Sequence, residues 1–424
     1  MDSAYAFDLM PLDTPDDSPE WAEYLDIFRF SFLDNRATPE GVATYREHRR
    51  KDQAVLARIT TEGPGLDGRE AVAGFAAAPT TINCGRGLVD ALVINTIAVR
   101  PSHRRRGLLK QMMRAQLDAA RERGISLATL TASEATIYGR FGFGIATHTH
   151  PIHVDTRRLV FRPDIPVASG SVEYVHPSFL KDHWHRLVTE HQARYRGAVG
   201  HLHGHYLTDT GQWDPSENGH ARSLRCVVHF SEEGEVDGFA LFTPQGWHDS
   251  PITTKVRKVC AEDQAVNRAL WKAMAEMDMV ERLTYPLSPP GDPLAASLVD
   301  PWAVQPKEGD DPVWLRILDL PSAVAQRQFD GDSEGDVIVE IVDSMGYCEG
   351  RWRMHAKDGH GTAERVDAAA DVKLSVDVLA QMWHGDRTAS ELALSGLLDG
   401  EPAAIGRLSR LFQVDEPPMN LATF

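Results

Sequence analysis

Cysteine is scarce and scattered in this chain: four in 424 residues, at Cys84, Cys226, Cys260 and Cys348, with no C-x-x-C pair. That argues against a disulfide framework and a thiolate zinc knot, and it points to a reducing compartment. Basic charge is also short, since 44 Lys and Arg stand against 61 Asp and Glu for a net charge of -17. Duplex recognition needs a broad basic face, so a nucleic-acid partner is not expected, whereas a cationic acceptor is compatible with this balance. No uncharged apolar stretch approaches the roughly 20 residues that span a bilayer. The opening MDSAYAFDLMPLDTPDD has no basic segment followed by an apolar one, so no signal peptide and a cytoplasmic location are expected.

What is present is enough apolar residue for several cores. At about 150 residues per domain the length predicts two or three domains, and 42% hydrophobic with 25% charged residues is a soluble globular composition. The chain is organised around LVINTIAVRPSHRRRGLLKQMM, Leu92 to Met113. Leu92 to Val99 reads as a strand stopped by Pro101 and Ser102. Leu109, Met112, Met113, Leu117 and Ala120 form one helical stripe, and Gly124 ends it. A turn that enters a helix directs unpaired N–H groups and a positive dipole end outward, so this one can hold phosphate. Gly107 admits a ligand close to the main chain, and the arginines add fixed charge. A solvated surface turn is the competing reading of three arginines.

A second strand-like run, Ser126 to Ala132, is followed by ASEATIYGRFGFG. With R-x-x-G and then Tyr138 four residues before Gly142-Phe143, the chain resembles the GNAT acyltransferases. PSHRRRGLL and ASEATIYGRFGFG are similar to strings of the enhanced intracellular survival (Eis) family of N-acetyltransferases. The resemblance implies acetyl-CoA as cosubstrate and a primary-amine acceptor: a polyamine-like small molecule, an aminoglycoside or a lysine side chain. It implies that Ile97, Ala98 and Val99 hold the pantetheine arm, and that Arg104, Arg105, Gly107, Leu108 and Leu109 surround the pyrophosphate. Ser133 is expected to cap the helix carrying Tyr138 or to touch the cofactor. Phe32 and Asp34 fall where family members contact the acceptor, and Phe424 where the last residue threads into the site and its α-carboxylate takes part in catalysis. Thr423 replaces the acidic residue of aminoglycoside-acetylating members, so weak or narrow aminoglycoside use is expected. Homo-oligomers, hexamers built from trimers, complete the implied picture.

The chemistry suits those residue types. A tyrosine with an ordinary pKa near 10 is protonated at neutral pH and can give its proton to a leaving thiolate. An α-carboxylate near 3.5 is a weak base, able to orient an amine or pass its proton through water. No metal is expected: His148, His150 and His153, presumed to share one strand, and His201, His203 and His205 lack companion ligands.

The fold class expected is α/β (α+β), with tandem GNAT-like domains, the second degenerate, and a sterol-carrier-protein-like domain at the end. The expected boundaries are 1–152, 153–305 and 313–424. Asp17-Ser18-Pro19-Glu20 starts a helix with Trp21, Tyr24, Leu25, Phe28 and Phe32 at helical spacing, and residues 53 to 80 read as a hairpin turned at Gly63-Pro64-Gly65 and Asp67-Gly68. An ungapped offset of 162 (259 − 97) lays IAVRPSHRRRGLLKQM on VCAEDQAVNRALWKAM, with Arg104 meeting Val266 and Gly107 meeting Ala269. A second unit without a phosphate site follows from those mismatches. Val313 to Leu318, Val337 to Val342, Arg351 to Ala356 and Ala363 to Val366 suggest a final meander, followed by helices at 376–383 and 403–412. For the last domain, lipid binding with a vestigial transferase site is the alternative to an architectural role. A protein that uses the arginine turn on acidic partners leaves Gly107 and Tyr138 without a reason.

Overall fold

The computed structural model describes all residues except 1–3, 11–13, 16, 49–52, 61, 63–67, 215–218, 249 and 331–332. The expected turn residues Gly63, Pro64, Gly65 and Asp67 therefore lie outside the described residues. Two compact units form: Met1–Ala146 with Val313–Val414 and Thr423–Phe424, and Thr147–Pro312 with Asp415–Ala422.

The chain begins with β1 (Tyr5–Met10), α1 (Pro19–Ser31), α2 (Pro39–His48), β2 (Gln53–Ile59), β3 (Ala71–Asn83) and β4 (Leu88–Val99). Next come α3 (Leu108–Glu122), β5 (Leu127–Leu130), the single turn α4 (Ala135–Tyr138) and β6 (Gly144–Thr149). Proline at the first position of α1 costs no hydrogen bond there, and the helix buries Trp21, Tyr24, Leu25 and Ile27. The alanine-rich β3 lets α1 lie close: a Cβ on Gly74 would come 2.7 Å from the Tyr24 ring. On α3 Met112, Met113, Leu117 and Ala120 of the expected stripe are buried, but Leu108 takes the buried place expected of Leu109, which is half-buried. Each large buried side chain contributes about 1.5–3 kcal/mol.

The second unit holds β7 (Ile152–Asp155), β8 (Ser171–Val175), α5 (Trp184–Arg194), α6 (His203–Asp209), β9 (Arg225–Phe230) and β10 (Val236–Pro244). It continues with β11 (Thr253–Ala261), α7 (Gln264–Ala275), β12 (Arg282–Tyr285) and β13 (Val304–Pro306). Its sheet runs β13-β7-β12-β11-β10-β9-β8. The histidines presumed to share one strand do not: β6 ends at Thr149, β7 starts at Ile152, and His150 lies between them.

The rest of the chain is β14 (Asp310–Ile317), α8 (Leu320–Gln326), β15 (Gly335–Val342), β16 (Gly350–Lys357), β17 (His360–Arg365), β18 (Val372–Ser375), α9 (Val376–Met382), α10 (Ala389–Leu394), β19 (Leu398–Gly400) and α11 (Pro402–Phe412). Five of these strands form the sheet β17-β16-β15-β18-β19. β14 was expected to open that meander and does not. It enters the first sheet, whose order is β1-β2-β3-β4-β5-β14-β6, and pairs antiparallel with β5 from Trp314↔Leu130 to Ile317↔Leu127. Val313, Trp314, Leu315 and Ile317 are all buried, and a strand covered on both faces carries no alternation to say which sheet it joins.

The C-terminal module and the first sheet are in intimate contact. Gly144 faces the Asp377 carbonyl, 1.9 Å from where a Cβ would stand, and Gly142, at φ +81°, faces Val376 and the Arg316 guanidinium at 2.7 and 2.8 Å. The glycines of GRFGFG thus admit a neighbouring chain segment. Gly144→Ala is expected to cost about 3 kcal/mol through overpacking, read as a lowered midpoint in denaturant unfolding; an unchanged midpoint contradicts this contact.

Candidate active site

β4 and β5 run parallel and pair only from Ala91↔Leu127 to Ile94↔Leu130. Beyond that point they part. The Arg100 N–H donates to Val72 of β3 at 2.8 Å, and because strand N–H groups alternate, Ile97 and Val99 direct theirs to the side β5 has left. The parting coincides with a bulge, where the register with β3 shifts between Gly74↔Ala98 and Ala76↔Asn95. Thr96 sits in the bulge at φ +46°, which is strained for a β-branched residue. Tyr24 holds it, its hydroxyl donating to the Thr96 carbonyl at 2.8 Å and contacting the Thr96 hydroxyl.

The connection from β4 to α3 is eight residues, Arg100 to Gly107. Gly107 at φ +78° is the N-cap of α3 and supplies no side-chain cap, so the first N–H groups of the helix open toward a ligand. The three arginines divide. Arg106 is spent on structure, donating to the Tyr5 hydroxyl at 2.9 Å and the Ser102 carbonyl at 3.1 Å. Arg104 and Arg105 line a cavity of about 870 Å³.

That cavity brings together most of the residues singled out from sequence. Ile97, Ala98 and Val99, Gly107, Leu108 and Leu109, and Ser133 and Tyr138 line it together with the two arginines; Phe32 also borders it, half exposed and packed on Phe28 at 4.6 Å between rings. Ser133 is not a helix cap, since Glu134 is the N-cap of α4; its side chain hydrogen-bonds to Tyr138 instead. Burial pushes the Tyr138 phenol above its ordinary pKa of 10, outweighing the Ser133 bond, which lowers it. Asp34 is not among the lining residues: its exposed carboxylate stands 3.8 Å from Arg29. Phe424 is not among them either, but its N–H donates to the Thr131 hydroxyl at 3.1 Å, just past the end of β5. Upstream, Asn420 is buried and accepts from the Val199 N–H at 3.0 Å, while Met419 donates to the Arg196 carbonyl at 3.0 Å.

Sequence reasoning missed several lining residues. His103 is buried, and burial together with Arg106 and Arg100 pulls its pKa down, which favours the neutral ring. Lys110 and Arg140 add cations at the cavity edge, and Ser344 and Met345 arrive from the C-terminal module. The two cations lie inside motifs already recognised and were open to inspection; the distant pair carried no local signal.

The second unit repeats the construction and closes it. β11 pairs in parallel with β12 only from Thr253 to Lys255, and its register with β10 shifts between Leu241↔Lys258 and Phe242↔Val256. At the offset of 162, Lys258 stands where Thr96 does. Its buried ammonium lies 2.5 Å from Asp209 and 3.1 Å from His201, whose pKa burial and Lys258 hold well below the usual range. The connection to α7 is two residues, Glu262 and Asp263, and Asp263 caps the helix by accepting from Ala265 and Val266 at 2.7 and 2.8 Å. The ungapped comparison was therefore misregistered past the strand: Arg268 lies inside α7 and donates to the Pro166 carbonyl at 2.6 Å. The eight-residue turn of the first unit has no counterpart here, and the Asp263 carboxylate meets the N–H groups at the start of α7.

Family models described as "Acetyltransferase (GNAT) domain" match residues 17–146 and 197–317, and one described as "Sterol carrier protein domain" matches 320–420. The chain is 30% identical over 399 residues to the N-acetyltransferase Eis of Mycobacterium tuberculosis, covering 89% of this chain and 91% of the relative. It is 32% identical to an uncharacterized N-acetyltransferase of Streptomyces avermitilis, over 78% and 80% of the two chains. Among solved structures, Eis1 of Mycobacterium abscessus superposes with a TM-score of 0.80 at 24% identity, over 99% of this chain and 100% of that one. A titration with coenzyme A is expected to saturate at one molecule per chain; two per chain would contradict the closed second unit.

Proposed function

Because the chain belongs to the Eis family of N-acetyltransferases, we propose that the cavity between β4 and α3 binds acetyl-CoA and transfers its acetyl group to a primary amine. The observation that carries this reading is the parting of β4 from β5 beside an uncapped helix N-terminus. The unpaired edge at Ile97 and Val99 can pair with a pantetheine arm as a short mimic strand, and α3 with Arg104 and Arg105 offers charge and N–H groups to a pyrophosphate.

Acetyl-CoA supplies the activated acyl group; the protein's part is orientation and proton movement. A backbone N–H of this strand end, around Val99 and not engaged by the pantetheine arm, is proposed to donate to the thioester oxygen as charge develops there. The acceptor's ammonium first gives up a proton to water, so that its neutral nitrogen bonds to the carbonyl carbon. As the carbon–sulfur bond breaks, Tyr138 gives its proton to the leaving thiolate, the nitrogen's second proton departs to the Phe424 α-carboxylate or through it to water, and water reprotonates the tyrosinate. A phenol raised above its ordinary pKa is a reliable proton source at neutral pH. The acceptor is proposed to be a cationic amine, drawn from small polyamine-like molecules and lysine side chains. With Thr423 exposed in place of an acid, aminoglycosides are proposed to be poor acceptors.

The lipid-carrier alternative has less support. The interior of the C-terminal module is occupied by Trp383, Phe329 and Phe412 together with the buried Arg327, which donates to the Trp383 and Phe412 carbonyls at 2.8 and 3.1 Å.

Tyr138→Phe is expected to retain coenzyme A binding while lowering turnover by about 10²; turnover within a fewfold of wild type rejects the general-acid role. Tyr138 acts in its protonated form, so wild-type turnover should fall only as pH rises beyond 10, and that alkaline limb should be absent in the variant. Deleting Phe424 should abolish transfer without changing the unfolding midpoint, and a fully active truncation leaves the chain end with no part in the chemistry.

A further inference from the structure

The turn joining β15 to β16 has no expected part in acetyl transfer, yet it reaches the cavity. Asp343 is its hub. Both carboxylate oxygens meet the Arg316 guanidinium, at 2.7 and 2.6 Å, with neither side chain exposed to solvent, and they also accept the N–H groups of Met345 at 3.0 Å and Cys348 at 2.8 Å. Burial alone would push this carboxyl up, but the Arg316 charge and those donors hold it below the ordinary range. The turn is thus wound on one buried ion pair, an arrangement that fixes a conformation more than it adds stability.

From that hub the turn grips the elements on both sides of the cavity. Ser344 donates to the Arg140 carbonyl at 2.9 Å, just after α4. Arg114 of α3 donates to the Met345 carbonyl at 3.3 Å, and the Tyr347 hydroxyl donates to Asp118, a turn further along α3, at 2.6 Å. Between these anchors Ser344 and Met345 face the cavity next to Lys110 and Arg140.

We propose that this turn is a positioning element of the acetyl-CoA site and forms the wall against the nucleotide half of the cosubstrate. The inference rests on the preceding reading that the cavity takes acetyl-CoA. The β4 edge at Ile97 and Val99 is assigned to the pantetheine arm and the start of α3 to the pyrophosphate, so the lining formed by Ser344 and Met345 with Lys110 and Arg140 is left to the nucleotide. The chemistry offered there suits a flat heterocycle and a further phosphate: the polarizable Met345 thioether and the cations of Lys110 and Arg140, with Ser344 tying the turn to the Arg140 carbonyl. The third module is thereby part of the transferase and not an appended carrier.

The test compares two acyl donors, acetyl-CoA and acetyl-pantetheine, which lacks the nucleotide, using the full chain and the variants Ser344→Ala, Met345→Ala and Met345→Leu. In Ser344→Ala and Met345→Ala the KM for acetyl-CoA should rise about tenfold, with kcat and the KM for acetyl-pantetheine unchanged. Met345→Leu, which keeps the volume, should restore most of the loss. Equal losses with both donors would assign the turn a purely structural role and overturn the proposal, as would no loss with either. Unfolding midpoints measured alongside separate a misfolded variant from a selective one, because misfolding depresses both donors together. Failure of the wild-type chain to bind coenzyme A would instead remove the reading on which the inference stands.

Discussion

Two parallel strands that pair for four residues and then separate create the condition on which the site depends. Inside a sheet, every N–H and C=O of β4 would be spoken for; past Ile94 the pairing with β5 ends, the Ile97 and Val99 N–H groups are directed at the side it has left, and the Val99 carbonyl takes the Arg104 Nε at 3.5 Å. An unpaired strand edge in a cleft is costly unless something pairs with it, and it presents a ladder that an extended ligand can complete. The bulge at Thr96 turns the strand at that point, and the Tyr24 hydroxyl stabilises the strained residue. The arginine turn and the open end of α3 stand at the end of that edge, so strand pairing and anion binding follow one another along a single groove.

The second unit keeps the same strand device without the phosphate turn. β11 still separates from β12, and the bulge is still there. Lys258 with Asp209 occupies the interior, the connection is cut to two residues, and Asp263 satisfies the N–H groups that a phosphate would otherwise meet. Capping a helix with its own carboxylate stabilises it by about 1 kcal/mol and removes its use as an anion site in the same step.

Much of this was legible in the sequence, and the illegible parts have physical reasons. The α3 stripe, the β4 run, Gly107, Arg104, Arg105 and Tyr138 are local patterns, and each sits beside the cavity or builds it. Asp34 was placed by position relative to relatives, and a nearby Arg29 engages it on the surface. β14 was assigned to the wrong sheet because an all-buried strand reads the same in any sheet. The duplication was detected at the strand and misread at the helix, since an ungapped comparison cannot see a shortened connection. Ser344 and Met345 could not be found at all, because what brings them to the cavity is the Arg316–Asp343 pair and the close approach permitted by Gly142 and Gly144, contacts between distant stretches.

The central claim is that the edge of β4, together with the open end of α3, is where acetyl-CoA lies. Amide hydrogen exchange of the full chain with and without coenzyme A measures this directly. The account predicts slowed exchange at Ile97, Val99 and Leu108 to Lys110, with β11 and the start of α7 unaffected. Protection at Val259, Ala261 and Ala265 instead, or no change along β4, would contradict it.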